Sequence, residues 1–136
     1  MDAAKARQFY EDFLNTLYIQ RNVGRLGDFI AANIVSHPIY PGQTPGIQGF
    51  EQMTRAFLDT FSDISFRVDG FSQEGETFSC QLVMKAKHIG TFMGIPATGR
   101  TAEVVDNLRY RLENGKIVEY WSNVDTQSLQ RQLSAA

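Results

Sequence analysis

With 136 residues, 43% of them hydrophobic, the chain can bury one real core but not two, so a single domain spanning residues 1–136 is expected. The 13 basic and 15 acidic residues are spread along the chain and sum to a net charge of -2, which leaves no basic patch for nucleic acid. A lone cysteine, Cys80, excludes an internal disulfide and Cys-based zinc sites, while the charged N-terminus and the lack of a long apolar run exclude a signal peptide and a membrane span. A soluble cytoplasmic protein, with neither nucleic acid nor membrane as partner, is the expectation.

In "DAAKARQFYEDFLNTLYIQ" the residues Ala6, Phe9, Tyr10, Phe13, Leu14, Leu17 and Tyr18 recur at i, i+3, i+4 spacing, opposite a face bearing Lys5, Arg7, Glu11 and Asp12. This predicts an amphipathic helix. A second, short helix is expected over Arg25 to Ala32 with Leu26, Phe29 and Ile30 inward, and a third from Phe50 to Phe61. Between them, Pro38, Pro41 and Pro45 in "SHPIYPGQTPGIQG" forbid a continuous helix.

The second half changes to period two. Ile64, Phe66 and Val68 alternate with polar residues and predict a half-buried strand with a bulge at Gly70, where the alternation slips. After the turn "QEGE", a strand carries Cys80, Leu82, Met84, Ala86 and His88 on one face. The next carries Val104, Asp106, Leu108, Tyr110 and Leu112. Asn114-Gly115 is a strong hairpin signal, followed by a last strand "IVEYWSNV" and a helix "DTQSLQRQL" that Asp125 caps. Helices first and an antiparallel sheet second define an α+β domain with one sheet face against the helices.

The segment "HIGTFMGIPATGR" joins two strands yet holds Ile89, Phe92, Met93 and Ile95, which a solvated loop does not need. From Gly94 it also reads within one residue of the phosphate-binding pattern G-x-x-x-x-G-K-[ST]. That pattern needs a helix after it, whose N–H groups meet the phosphates; here Thr101 opens an alternating strand, Pro96 removes a donor, and Arg100 replaces the lysine. No metalloprotease or serine-hydrolase motif is present, and no metal or cofactor is expected. Parity leaves two titratable groups on otherwise apolar strand faces, His88 and Asp106. A buried carboxylate must be paired, hydrogen-bonded or neutral, so Asp106 is either a satisfied structural group or a tuned one. His88 reads more simply as a satisfied hydrogen-bonder at a strand end. His37 and Tyr40 lie in the proline-rich loop.

"HIGTFMGIPATGR" after a strand, "ENGKIVEYW" as a hairpin, "PGIQGFEQM" before a helix and "DTQSLQRQL" at the end together resemble the SnoaL-like polyketide cyclase and ester cyclase family of the nuclear transport factor 2 superfamily. The resemblance covers nearly the whole chain. It implies a cystatin-like cone, in which N-terminal helices pack on a strongly curved antiparallel sheet with a short C-terminal helix, and a ligand cavity at the wide end. Phe92, Met93 and Ile95 would then line or lid the mouth of that cavity and cover apolar surface there or in a neighbouring subunit. In the aromatic polyketide cyclases of the family the acid/base is an aspartate on the last strand, and the resemblance puts Ser122 at that position. A glutamine and a histidine of the family's pocket fall on Asp106 and Leu108, and only His88 matches outright.

The combined expectation is a small-molecule pocket enzyme of cyclase or isomerase type without cofactor. Asp106 is its general base for a proton next to a carbonyl, and His88 bonds Asp106 or polarises the substrate. His37, Tyr40 and Tyr120 position a hydrophobic carbonyl ligand, and Met84, Leu108, Phe92, Met93 and Ser122 complete the pocket. A non-catalytic ligand-binding module of the same fold is the alternative. A homodimer is expected, because Val105 and Trp121 share the outer sheet face with charged residues.

Overall fold

A computed structural model describes residues 2–38 and 42–134. Helix α1 (Ala3–Leu14) starts at Asp2, whose carboxylate accepts the Lys5 N–H at 2.8 Å, and continues as a π-helical turn over Asn15–Ile19. Its inward face, Ala6, Tyr10, Phe13, Leu14 and Leu17, is buried as the periodicity predicts. A 3₁₀ turn (Val23–Asp28) leads into strand β1 (Ile30–His37), and helix α2 (Ile47–Thr60) follows the proline-rich loop. Strands β2 (Phe61–Glu74), β3 (Thr77–His88), β4 (Thr101–Glu113) and β5 (Lys116–Trp121) form the second half, closed by helix α3 (Thr126–Ser134).

The sheet runs β1-β5-β4-β3-β2, antiparallel except for β1, which lies parallel to β5. Two sequence expectations are corrected here. Residues from Ile30 onward are a strand rather than the end of a second helix, and the sheet is mixed rather than antiparallel. The reason is local. A register shift between Ile30 and Val35 breaks the alternation, so the two residues of β1 that reach the core, Ile30 and Ile34, stand four apart and imitate a helical period. The 3₁₀ turn itself is short, with Gly24 and Gly27 in its interior.

On β3 and β4 every even-numbered residue from Phe78 to His88 and from Ala102 to Leu112 is buried. The expected bulge appears as a register shift between Asp69 and Ser72, with Gly70 at φ 60°, and a second shift lies between Ser62 and Ser65. Bulges bend the strand that carries them, so β2 wraps the sheet around α1 to give the cone. At the β4–β5 hairpin Asn114 and Gly115 both have positive φ, as a two-residue turn of the favoured hand requires. Beyond Trp121 the chain still follows β4, through the Asn107 N–H to Asn123 carbonyl bond at 3.1 Å and the Asp125 N–H to Val105 carbonyl bond at 2.9 Å. Asp125 then caps α3 by accepting the Ser128 N–H at 3.0 Å.

Candidate active site

A cavity of about 180 Å³ lies between the sheet, α1, α2 and the end of β1. Its walls are largely apolar. Tyr10, Leu14 and Tyr18 come from the N-terminal helix, Phe50, Met53 and Phe57 from α2, and Leu82, Met84 and Val104 from the sheet. Among the described residues that line it Asp106 is the one carboxylate, and none is a lysine or an arginine.

Asp106 sits mid-strand on β4, 9% exposed, between Leu82 of β3 and the isolated bridge at Val124. One carboxylate oxygen accepts the Ser122 hydroxyl at 2.7 Å and the other accepts the Asn123 N–H at 2.8 Å. Burial raises its pKa above the ordinary carboxylate range, and these two hydrogen bonds draw it partly back. Ser122, standing where the family resemblance places an aspartate, therefore steadies a carboxylate on the neighbouring strand. The bond from the Ser122 N–H to the His37 carbonyl at 2.8 Å fixes it in turn. Ser122→Ala would remove one of the two groups that favour ionised Asp106. The acid limb of any Asp106-dependent rate profile is then expected to move to higher pH, with the rate on that limb falling about two- to tenfold. A pH-rate comparison of the two proteins checks it.

Tyr120 of β5 and Tyr10 of α1 also face the cavity, with their hydroxyls 2.7 Å apart. Burial lifts both phenols well above their usual pKa, so both are neutral donors at ordinary pH. Tyr18 is likewise pushed up by burial, to about 12. His37 lies at the rim, but its ring turns outward: Nε2 bonds the Glu119 carboxylate at 2.8 Å and the ring stacks on Trp121 at 5.5 Å. The His37 bond is the main reason that the Glu119 carboxyl lies below its usual pKa.

The remaining sequence-predicted residues divide. Met84, Asp106, Tyr120 and Ser122 meet at the cavity; Tyr40 lies outside the described residues. His88 does not meet Asp106. It is fully buried against Phe61, and its Nδ1 accepts the Thr98 N–H at 3.2 Å and lies 3.0 Å from the Thr98 hydroxyl. It thus pins the segment after β3, while its Nε2 has no partner among the described residues. Parity places His88 on the correct face, but it lies four positions beyond Met84 on β3, and at about 3.3 Å per residue that carries it past the cavity. Leu108, 2% exposed, is likewise core packing further along β4 rather than cavity wall. Phe92 packs on Phe61 at 5.8 Å and makes a tight turn with Ile95, whereas Met93 is 55% exposed. Of the apolar residues of "HIGTFMGIPATGR", Phe92 therefore covers Phe61, Ile89 and Met93 are exposed, and none of the four lines the cavity. Tyr10 and Tyr18 were hidden in the sequence inside a stripe that reads as core; their only signal is that an inward tyrosine must find a partner for its hydroxyl.

Among the described residues no three His, Cys, Asp or Glu side chains are grouped to hold a metal ion, and no helix is long and apolar enough to cross a membrane. A curved mixed sheet wrapped on helices, enclosing an apolar cavity with one buried carboxyl, defines the cone class. A family model for SnoaL-like polyketide cyclase matches residues 4–133, and the chain belongs to that family. No curated protein matches the chain. Among solved structures, TsrD from Streptomyces laurentii is 26% identical with a TM-score of 0.87, covering 100% of this chain and 99% of that one. Wild-type IdmH from Streptomyces antibioticus is 29% identical, TM-score 0.72, covering 92% and 98%. A SnoaL-like polyketide cyclase from Agrobacterium tumefaciens, 23% identical with a TM-score of 0.76 over 94% and 97% of the chains, shares the fold. Family and neighbours support a small-molecule, cyclase-type function.

Proposed function

We propose that the cavity is a small-molecule site in which Asp106 acts as a general base, removing a proton from carbon next to a carbonyl in a cyclisation or isomerisation that needs no cofactor. One observation carries this reading: a carboxyl group of raised pKa in an apolar cavity wall, held by Ser122 and Asn123. A carboxylate whose basicity is raised toward the working pH is a better proton acceptor than one in water, and a site that holds it in place saves the cost of orienting it. The ligand is uncharged and mostly apolar, because the described lining residues include no lysine or arginine and the Asp106 carboxylate repels anions.

Uncharged carbonyl compounds with a hydrogen on the neighbouring carbon are the first probes. A compound that raises the melting temperature is then incubated with the protein in heavy water, and loss of that hydrogen is followed by NMR. Exchange faster than in buffer supports the general base. Tight binding with exchange no faster than in buffer leaves a binding module of the same fold.

We also propose that two copies pair through the outer sheet face. Val105 and Trp121 are half-buried there, although Arg109, 4.7 Å above the Trp121 ring, and the stacked His37 already cover much of the indole. Sedimentation at micromolar concentration should give a dimer, and a monomer only would remove the proposal.

A further inference from the structure

Two tyrosine hydroxyls 2.7 Å apart hold two hydrogens and make one hydrogen bond between them. The second hydrogen has no acceptor among the described residues. Two other tyrosines of this region differ: Tyr110 donates to the Ala6 carbonyl at 2.8 Å, a closed structural bond, and Tyr18 is hydrogen-bonded to Thr54. The surplus donor therefore belongs to the Tyr10–Tyr120 pair, and both partners line the cavity that Asp106 lines.

We propose, on the reading of Asp106 as base, that Tyr120 is a catalytic residue that donates its free O–H to the substrate's carbonyl oxygen, and that Tyr10 is a positioning residue that donates to Tyr120. The order follows from access. Tyr10 is fully buried, its ring stacked on Tyr110 at 5.1 Å, whereas Tyr120 keeps 9% of its surface open and meets Phe50 edge-on at 5.6 Å. A phenol that accepts one hydrogen bond becomes a stronger donor of the next, so the relay sharpens Tyr120 without ionising either ring. Asp106 lies close enough for its charge to act on Tyr120, yet its two oxygens are engaged by Ser122 and Asn123.

In the step itself, an Asp106 oxygen takes the proton from the carbon beside the carbonyl. The C–H electron pair becomes the carbon–carbon double bond, and the carbonyl π pair moves onto oxygen. The negative charge passes from Asp106 to that oxygen, where the Tyr120 O–H holds it by a hydrogen bond without transferring its proton. A donor already in place where charge develops contributes to the transition state more than to the ground state. The substrate class is thereby narrowed to ketones or esters small enough to set the carbonyl oxygen on Tyr120 and the acidic carbon on Asp106 at once.

The test is an equilibrium one, so that it does not depend on whether Asp106 is the base. In Asp106→Asn, which removes the repelling charge, 4-nitrophenolate stands in for the enolate and 4-nitrotoluene for its uncharged shape; binding of both is measured by absorbance and calorimetry. Adding Tyr120→Phe should weaken the phenolate about ten- to a hundredfold and leave 4-nitrotoluene unchanged. Adding Tyr10→Phe instead should weaken the phenolate by a smaller factor, about two- to tenfold. The phenylalanine rings preserve the packing on Tyr110 and Phe50, and should the Tyr120 variant not fold, the Tyr10 variant carries the test alone. Equal loss of both probes, or no loss of the phenolate, would overturn the assignment. Retained proton exchange in Asp106→Asn, by contrast, would sink only the base.

Discussion

Asp106→Asn is expected to lower turnover by roughly two to four decades while ligand affinity stays within a few-fold of wild type, because the amide keeps the shape of the carboxyl but cannot take a proton. The surroundings accommodate it. The amide oxygen can still accept the Asn123 N–H, and the amide NH₂ can donate to Ser122, whose hydroxyl rotates from donor to acceptor. Stability gives an independent reading. Asp106 has a folded-state pKa raised by burial, so the stability it contributes is fully present below the ordinary carboxylate range and is lost as pH rises through the raised value. Asparagine does not titrate, so the melting temperature of the variant relative to wild type should be most favourable near neutral pH and fall back as the solution is acidified. Turnover equal to wild type would remove Asp106 from the mechanism. A melting difference independent of pH would mean that the carboxyl is not held in an apolar wall.

Ser122→Asp has the second largest expected effect, because the Ser122 hydroxyl lies only 2.7 Å from an Asp106 oxygen. A carboxyl there meets Asp106 directly, and two carboxylates at that separation in an apolar wall cannot both be ionised at neutral pH. The pair titrates as a unit with a shared proton, its second step moved up. With the sign as before, the variant should be close to wild type in acid and lose about 3 kcal/mol or more relative to it as pH rises through that second step, seen as a melting temperature that falls with pH further than that of wild type. This substitution also puts a carboxyl at the position where the family resemblance places an aspartate. Proton exchange on a carbonyl probe should rise only if the cavity accepts the substrate from that side; no gain, together with an inert Asp106, would favour the binding module. Parallel melting curves for the two proteins across the pH range would show that residues 106 and 122 are not in contact.

Much of the frame is written in local sequence. Period 3.6 in "AKARQFYEDFL", period two in "FSCQLVMKAKH" and "AEVVDNLRYRL", the Asn114-Gly115 turn and the Asp125 cap each act through neighbours a few residues away, so their signals survive without the fold. Parity alone also placed Asp106 on the buried face, since a strand's two faces are decided by counting. What counting cannot give is position along the strand relative to other elements. His88 and Asp106 share a face by parity, yet the register of β3 against β4 sets Leu82, not His88, beside Asp106, and the tertiary fold then puts His88 against Phe61. Strand β1 was illegible for a related reason: a register shift destroys the alternation, and the partner that makes it a strand, β5, comes more than eighty residues later. The Tyr10–Tyr120 pair joins residues 110 apart in the chain, and the grip of Ser122 on Asp106 joins two strands across a bulged hairpin. Composition and periodicity determine which side chains must be buried. Which buried polar groups meet, and so what chemistry the cavity can do, is decided by strand register and by the bulges that curve the sheet, because hydrogen bonds act over about 3 Å and only the assembled cone brings donors and acceptors that close.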